Sequence, residues 1–128
     1  MIEIRRVYEP SERGNEVRFL IERLWPRGIK KESLELSGGW LKEVAPSTAL
    51  RRWFGHDPDK WTEFRRRYRA ELDAHPLVWQ PILEAARKHH ITLYYSARDI
   101  HHNSALVLKE YLEAKLAREV RSTGHGGS

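Results

Sequence analysis

Three short stretches of this 128-residue chain hold the side chains best suited to chemistry. "ERLWPRG" sets Glu22, Arg23, Trp25 and Arg27 around Pro26; "GHDP" places His56 beside Asp57; "SARDIHHN" carries Ser96, Arg98, Asp99, His102 and Asn103. A guanidinium forks onto carboxylate or phosphate with planar, paired donors, so Arg23, Arg27 and Arg98 suit recognition of a small anion. Glu22, Trp25, Ser96, His102 and Asn103 would complete the wall of such a site. His56 is the best acid–base candidate, with Asp57 or Asp99 as the group that orients it.

Each of these residues also has a structural reading. Glu22–Arg23 and Arg98–Asp99 would pin two loops if they formed ion pairs. Trp25 suits a core better than a stacking platform. Asp57 stands where an N-cap belongs, directly before Pro58 at a first helical position.

The elements that must position these residues follow from periodicity. "IEIRRV" alternates apolar and polar as a strand does, and "EVRFLIERL" repeats the pattern with Val17, Phe19 and Ile21 on one face until Pro26 and Gly28 stop it. "LSGGWLKEVAP" reads as a short helix ended by Pro46, and "STALRRWFG" as another, capped by Ser47 and closed by Gly55. The clearest helix follows Asp57, with Trp61, Phe64, Tyr68 and Leu72 on one face. A further helix covers "PLVWQPILEAARKHH", interrupted or restarted at Pro81. "ITLYYSARD" is a third strand, and a last helix from Asn103 turns Ala105, Leu108, Leu112 and Leu116 inward. Residues 119–128 read as a disordered tail behind a single domain over 1–118.

This is an α/β pattern: a small, mostly parallel sheet of about three strands packed with helices. The helical segment between the second and third strands is long enough for a crossover, so those two strands can be parallel neighbours. The first strand suits a hairpin better, because only eight or nine residues precede the second. Parallel strands two and three would leave the sheet on one edge, the edge where open α/β sheets bind ligands. "RLWPRG" and "SARDIHHN" would meet there, with the N-terminus of the last helix adding a partial positive charge.

The totals narrow the function classes. With no cysteine, disulfides, thiolate nucleophiles and cysteine metal sites are excluded. No apolar run approaches the roughly 20 residues of a membrane span, and the N-terminus lacks a signal-peptide pattern, so a cytoplasmic protein is expected. The net charge is +5, from 23 basic and 18 acidic residues, a balance that permits a nucleic-acid partner without requiring one. The run "EFRRRYRAEL" looks basic, yet on a helix Glu63–Arg67, Arg67–Glu71 and Arg69–Asp73 fall four apart and answer much of the charge. His89–His90 and His101–His102 lack metal-ligand spacing, and there is no glycine-rich phosphate loop, so neither a metal nor a cofactor is expected. The pattern does not set an oligomeric state.

"RLWPRG", "WLKEVAPSTALRRWFGHDPDKWTEFRRRYRAEL" and "SARDIHHNSALVLKEYL" together resemble the YeaO-like bacterial family, domain of unknown function 488, over about residues 2–113. The family pattern falls on Arg23, Trp25, Pro26, Arg27 and Gly28, on Pro46 and Ser47, on Trp53, Gly55, His56 and Asp57, and on Asp99 and Asn103. The resemblance implies a small cytoplasmic α/β domain with no established activity. Glu22 departs from it, since relatives carry aspartate there. Distant relatives also carry cysteine near the end of the last strand and a Cys-His-Arg beyond it. Here the chain reads Tyr95, then His101, His102 and Asn103, so no sulfur chemistry carries over.

The expectation is a site for a small phosphate- or carboxylate-bearing ligand, with or without catalysis. A nucleic-acid-binding module using the basic surface and a non-catalytic structural domain are the alternatives.

Overall fold

Every residue of the strand Ile91–Tyr95 is buried, and the sheet is built around it. The computed structural model describes residues 1–9 and 14–126. In chain order the strands are β1 (Ile2–Arg6), β2 (Val17–Leu20), β3 (Gly39–Trp40) and β4 (Ile91–Tyr95). The α-helices are α1 (Lys31–Leu34), α2 (Thr48–Phe54), α3 (Trp61–Ala74), α4 (Gln80–Lys88) and α5 (Ser104–Gly126). The strands lie in the order β1-β4-β2-β3, and every pairing is parallel. The small parallel α/β sheet expected from the sequence is the one that forms.

A continuous apolar run such as "ITLYY" suits a central parallel strand covered on both faces. On one face Ile91, Leu93 and Tyr95 join Ile2, Phe19 and Ile21 beneath the helices, packing with Phe54, Phe64, Tyr68, Leu72, Leu108 and Leu112. On the other face Tyr94, Leu20, Val7 and Leu34 form a smaller core roofed by Trp25, Ile29, Leu36 and Trp40.

Two expectations about the strands are corrected. β1 forms no hairpin with β2; both flank β4 in parallel register, Ile2 opposite Ile91 and Val17 also opposite Ile91. A fully buried β4 needs a partner on each edge. Ten residues, 7–16, reach at most about 35 Å when extended, enough to return along a five-residue strand without a helix. Part of that connection lies outside the described residues. The second correction is a fourth strand: 36–46 is not a helix but β3 followed by a 3-10 turn over Lys42–Val44. Glycine makes the difference. Gly39 takes a left-handed φ of 96°, and a Cβ at Gly38 would collide with the Phe19 ring. The backbone can therefore draw in beside β2, where Gly38 N–H donates to the Arg18 carbonyl and Leu41 N–H to that of Leu20.

The helices largely follow their sequence signals. Ser47 caps α2 by accepting from Leu50 N–H, and Gly55 closes it at φ 54°. Pro81 sits in the first turn of α4, behind a 3-10 turn at Pro76–Val78. Ala105, Leu108 and Leu112 are fully buried along α5. That helix continues to Gly126, through much of the segment read as a tail, and Arg87 of α4 grips Glu119 with two hydrogen bonds. Residues 127–128 lie outside the described residues. Among the described residues no helix is long and apolar enough to cross a membrane.

One buried hydrogen bond ties this frame to the site below. The Tyr68 hydroxyl, in the core face of α3, donates to the Val44 carbonyl at 2.6 Å. Burial first, then the nearby Glu71 carboxylate, pushes the phenol pKa up, so the group stays a neutral donor. Tyr68→Phe leaves that carbonyl without its donor and is expected to lower stability by about 1–3 kcal/mol. Urea unfolding checks it, and an unchanged midpoint would contradict the assignment.

Candidate functional site

Because β2 and β4 are adjacent and parallel, their C-terminal ends leave the sheet side by side. The junction is a direct one: Glu22 Oε1 accepts from Ser96 N–H at 2.6 Å and from the Ser96 hydroxyl at 2.9 Å. From the other side, Arg6 Nε of β1 donates to the Ala97 carbonyl at 2.9 Å. The loop after β4 is thus held by both neighbouring strands. Above it opens a cleft of about 810 Å³, floored by the strand ends and walled by α2 and the start of α5.

The cleft gathers seven of the candidate residues: Glu22, His56, Ser96, Arg98, Asp99, His102 and Asn103. Four others lie elsewhere. Arg23 turns into the wall, donating to the Ala45 carbonyl at 3.1 Å and the Pro46 carbonyl at 3.3 Å, with Glu43 at 3.8 Å. Trp25 belongs to the small core on the far face, edge-on to Trp40 and donating to the Ile29 carbonyl. Arg27 is exposed outside the cleft, and its carbonyl accepts from the Tyr8 hydroxyl. Asp57 accepts from Asp59 N–H and caps the 3-10 turn Pro58–Lys60 that leads into α3. The opening motif therefore splits: Glu22 faces the site, Arg23 braces it, and Trp25 and Arg27 do neither.

Two cations from outside these motifs stand in their place. Arg51 and Arg52 of α2 line the cleft opposite Arg98. The signal was present, two adjacent arginines on a capped helix, but which side of α2 would face the strand ends depends on packing. That packing is set by Glu71 of α3, whose carboxylate accepts from both Ser47 N–H, at 2.8 Å, and the Ser47 hydroxyl, at 2.5 Å. Glu71 is therefore not spent on Arg67, nor Asp73 on Arg69, since Asp73 accepts from the Tyr111 hydroxyl. Of the three expected pairs within α3 only Glu63–Arg67 forms, joined by Glu63–Arg66, while Arg65 and Arg69 reach Glu110 on α5.

The imidazole–carboxylate pair in the cleft is His102–Asp99. His102 Nδ1 lies 2.9 Å from Asp99 Oδ2, and the ring sits edge-on to Trp61 with centroids 5.2 Å apart. An ionised carboxylate only accepts, so Nδ1 carries the proton and Nε2 is the nitrogen left for other partners. Asp99 Oδ1 accepts from the backbone N–H groups of His101 and His102. Those donors, His101 foremost and then the His102 ring, hold the Asp99 pKa below its ordinary 3.8. His56 has no such partner among the described residues. It takes a left-handed φ of 57° directly after Gly55 and packs toward Phe54. Asn103 is spent on structure, capping α5 through Leu106 N–H and donating to the Asp99 carbonyl. The ion pairs of the structural alternative, Glu22–Arg23 and Arg98–Asp99, do not form; Arg23 has Glu43 as its nearest carboxylate at 3.8 Å. Among the described residues no group of three or more His, Asp or Glu is placed to hold a metal ion.

Fold and site together define a small parallel α/β domain with an arginine-walled cleft at its strand ends. Residues 1–126 match the family described as the inactive DUF488-N3 subclade. The chain is also 42% identical over 113 residues to the uncharacterized protein YeaO of Escherichia coli (strain K12), covering 88% of this chain and 97% of that one. It is 42% identical over 71 residues to uncharacterized proteins of Mycobacterium bovis and Mycobacterium tuberculosis, covering 56% of this chain and 59% of each. The chain belongs to the YeaO-like DUF488 family. No solved structure matches it.

Two outcomes follow from the geometry. Arg23→Ala strips donors from two buried wall carbonyls and is expected to destabilise the fold by about 1–3 kcal/mol in denaturant unfolding; a neutral effect would place Arg23 outside the frame. Asp99 titrates lower folded than unfolded, so its contribution is present above the unfolded pKa, near 4, and fades as pH falls through the depressed folded value. Acid unfolding of Asp99→Asn should show lower stability at neutral pH and a shallower acid limb than the parent. Parallel curves would refute the part of the Asp99 carboxylate in holding the turn at His101 and His102.

Proposed function

We propose that this chain is a binding domain for a small phosphate- or carboxylate-bearing ligand seated in the cleft at the ends of β2 and β4. One observation carries the reading. Arg51, Arg52 and Arg98 all line the cleft, and among the described residues none of their guanidinium groups has a hydrogen bond, ion pair or ring contact. The arginines elsewhere are mostly answered: Arg65 and Arg69 by Glu110, Arg66 and Arg67 by Glu63, Arg87 by Glu119, Arg18 by Glu16. All three are exposed at the cleft, where an anion would accept paired hydrogen bonds from them. The N-terminus of α5, a 23-residue helix, adds its dipole on the same side. His102 can donate from Nε2 as well when protonated.

The reading stops at binding. Among the described residues His56 has no carboxylate partner and His102 hydrogen bonds only to Asp99, and the subclade's description as inactive is in keeping with a cleft that holds its ligand without turning it over. The nucleic-acid alternative loses ground because the basic run of α3 is paired with Glu63 and Glu110.

Thermal unfolding at low ionic strength, with inorganic phosphate, pyrophosphate and a panel of phosphorylated and carboxylated metabolites, tests the proposal. At least one ligand should raise the transition in a concentration-dependent way. Arg51→Ala and Arg98→Ala should each weaken that ligand about tenfold or more while leaving the unliganded protein as stable as the parent, or more so. A panel that leaves the parent unmoved, or variants that respond as the parent does, would overturn it.

A further inference from the structure

The cleft carries a second, opposite feature that bears on which anion it takes. Glu22 stands in the same cavity as the three arginines, yet it makes no ion pair with any of them. One of its oxygens, Oε1, is spent on Ser96; the other, Oε2, accepts nothing among the described residues. The site therefore has a cationic wall and a separate carboxylate acceptor, held apart by the frame. A bare anion would satisfy the first and leave the second idle.

Size points the same way. About 810 Å³ falls in the ~300–1,000 Å³ range of pockets for whole organic ligands, far beyond a lone phosphate. Part of the wall is apolar, with Leu24 71% exposed at the lip and Pro46 and Phe54 behind it. The group that meets Glu22 has to donate, because a carboxylate only accepts. An ammonium there would stand in the field of three guanidiniums, whereas a hydroxyl donates without adding positive charge. The Ser96 hydroxyl, donating to Glu22, keeps lone pairs for a second donor beside the first. Two adjacent acceptors suit two adjacent hydroxyls.

Resting on the anion-binding reading above, we propose that the ligand is a phosphate ester carrying a vicinal diol, its phosphate held by Arg51, Arg52 and Arg98 and its hydroxyls donated to Glu22 and Ser96. A free sugar phosphate and a ribonucleotide share this chemistry. They differ in whether an uncharged ring also covers the apolar wall.

Isothermal titration on the full chain at low ionic strength separates the possibilities, using inorganic phosphate, ribose 5-phosphate, AMP and the 2′-deoxy forms of the last two. The parent should bind the ribo compounds at least about tenfold more tightly than their deoxy forms, as expected when a charged acceptor loses its donor. Glu22→Gln keeps an acceptor for Ser96 but removes the charge and turns the second oxygen into a donor. It should bring the ribo-to-deoxy ratio close to one, a ratio read within the variant and so independent of any change in its phosphate affinity. AMP binding more tightly than ribose 5-phosphate identifies the nucleotide form, and equal affinities the free sugar form. Equal binding of ribo and deoxy ligands by the parent, or a preference that survives in Glu22→Gln, overturns the diol assignment and leaves the anion site standing. Failure of every phosphate compound to bind removes both. Should Glu22→Gln not fold, the parent's ribo-to-deoxy ratio decides alone.

Discussion

The hydrogen bonds from Ser96 to Glu22 are the contact on which the site depends. They join Glu22, two residues past β2, to Ser96, the first residue past β4, 74 positions apart in sequence, at 2.6 and 2.9 Å. Strand pairing alone would bring the two loops to one edge of the sheet. The carboxylate sets their separation, because a charge-assisted hydrogen bond to a backbone N–H is short and directional. Arg6, reaching across from β1 to the Ala97 carbonyl, closes the same loop from its other flank. Arg98 and Asp99 are presented from a stretch of backbone held on both sides.

The opposite wall is built by a comparable device. Glu71 of α3 grips Ser47 through both its backbone and its hydroxyl, Ser47 caps α2, and α2 carries Arg51 and Arg52. Tyr68 and Arg23 secure the intervening backbone at Val44, Ala45 and Pro46. The division of labour among charged groups is consistent. Carboxylates and two arginines, Arg6 and Arg23, are consumed in holding backbone, and three other arginines are left facing the cleft. Strong neutralised contacts position the frame, and unneutralised charge is kept for the opening.

Much of this was legible in the sequence where local pattern decides the outcome. "ITLYY" reads as a strand because it is rich in β-branched and aromatic residues, and Ser47, Gly55 and Asp57 signal their caps by residue type and position alone. The meeting of the loops after β2 and β4 followed from counting residues between strands. What escaped were facts decided at a distance. The path of β1 across β4 depends on β4 needing two partners, which no local window shows. β3 is two residues long and rests on the missing Cβ of Gly38. Arg23 and Arg27 lie in a motif that looks like one functional unit, but Arg23 is captured by carbonyls 22 and 23 positions onward and Arg27 lies outside the cleft. Arg51 and Arg52 were overlooked for the converse reason: only the rotation of α2, fixed by Glu71, turns them toward the strand ends.

The most direct measurement of the central claim is a titration of the isotopically labelled chain with inorganic phosphate, following arginine Nε–H and backbone amide resonances by nuclear magnetic resonance. Saturable shifts should appear at the side chains of Arg51, Arg52 and Arg98 and at the amides of the first turn of α5, with the α3 arginines Arg65, Arg66 and Arg67 unaffected. Shifts confined to α3, or no saturable change around the cleft, would contradict an anion site at the ends of β2 and β4.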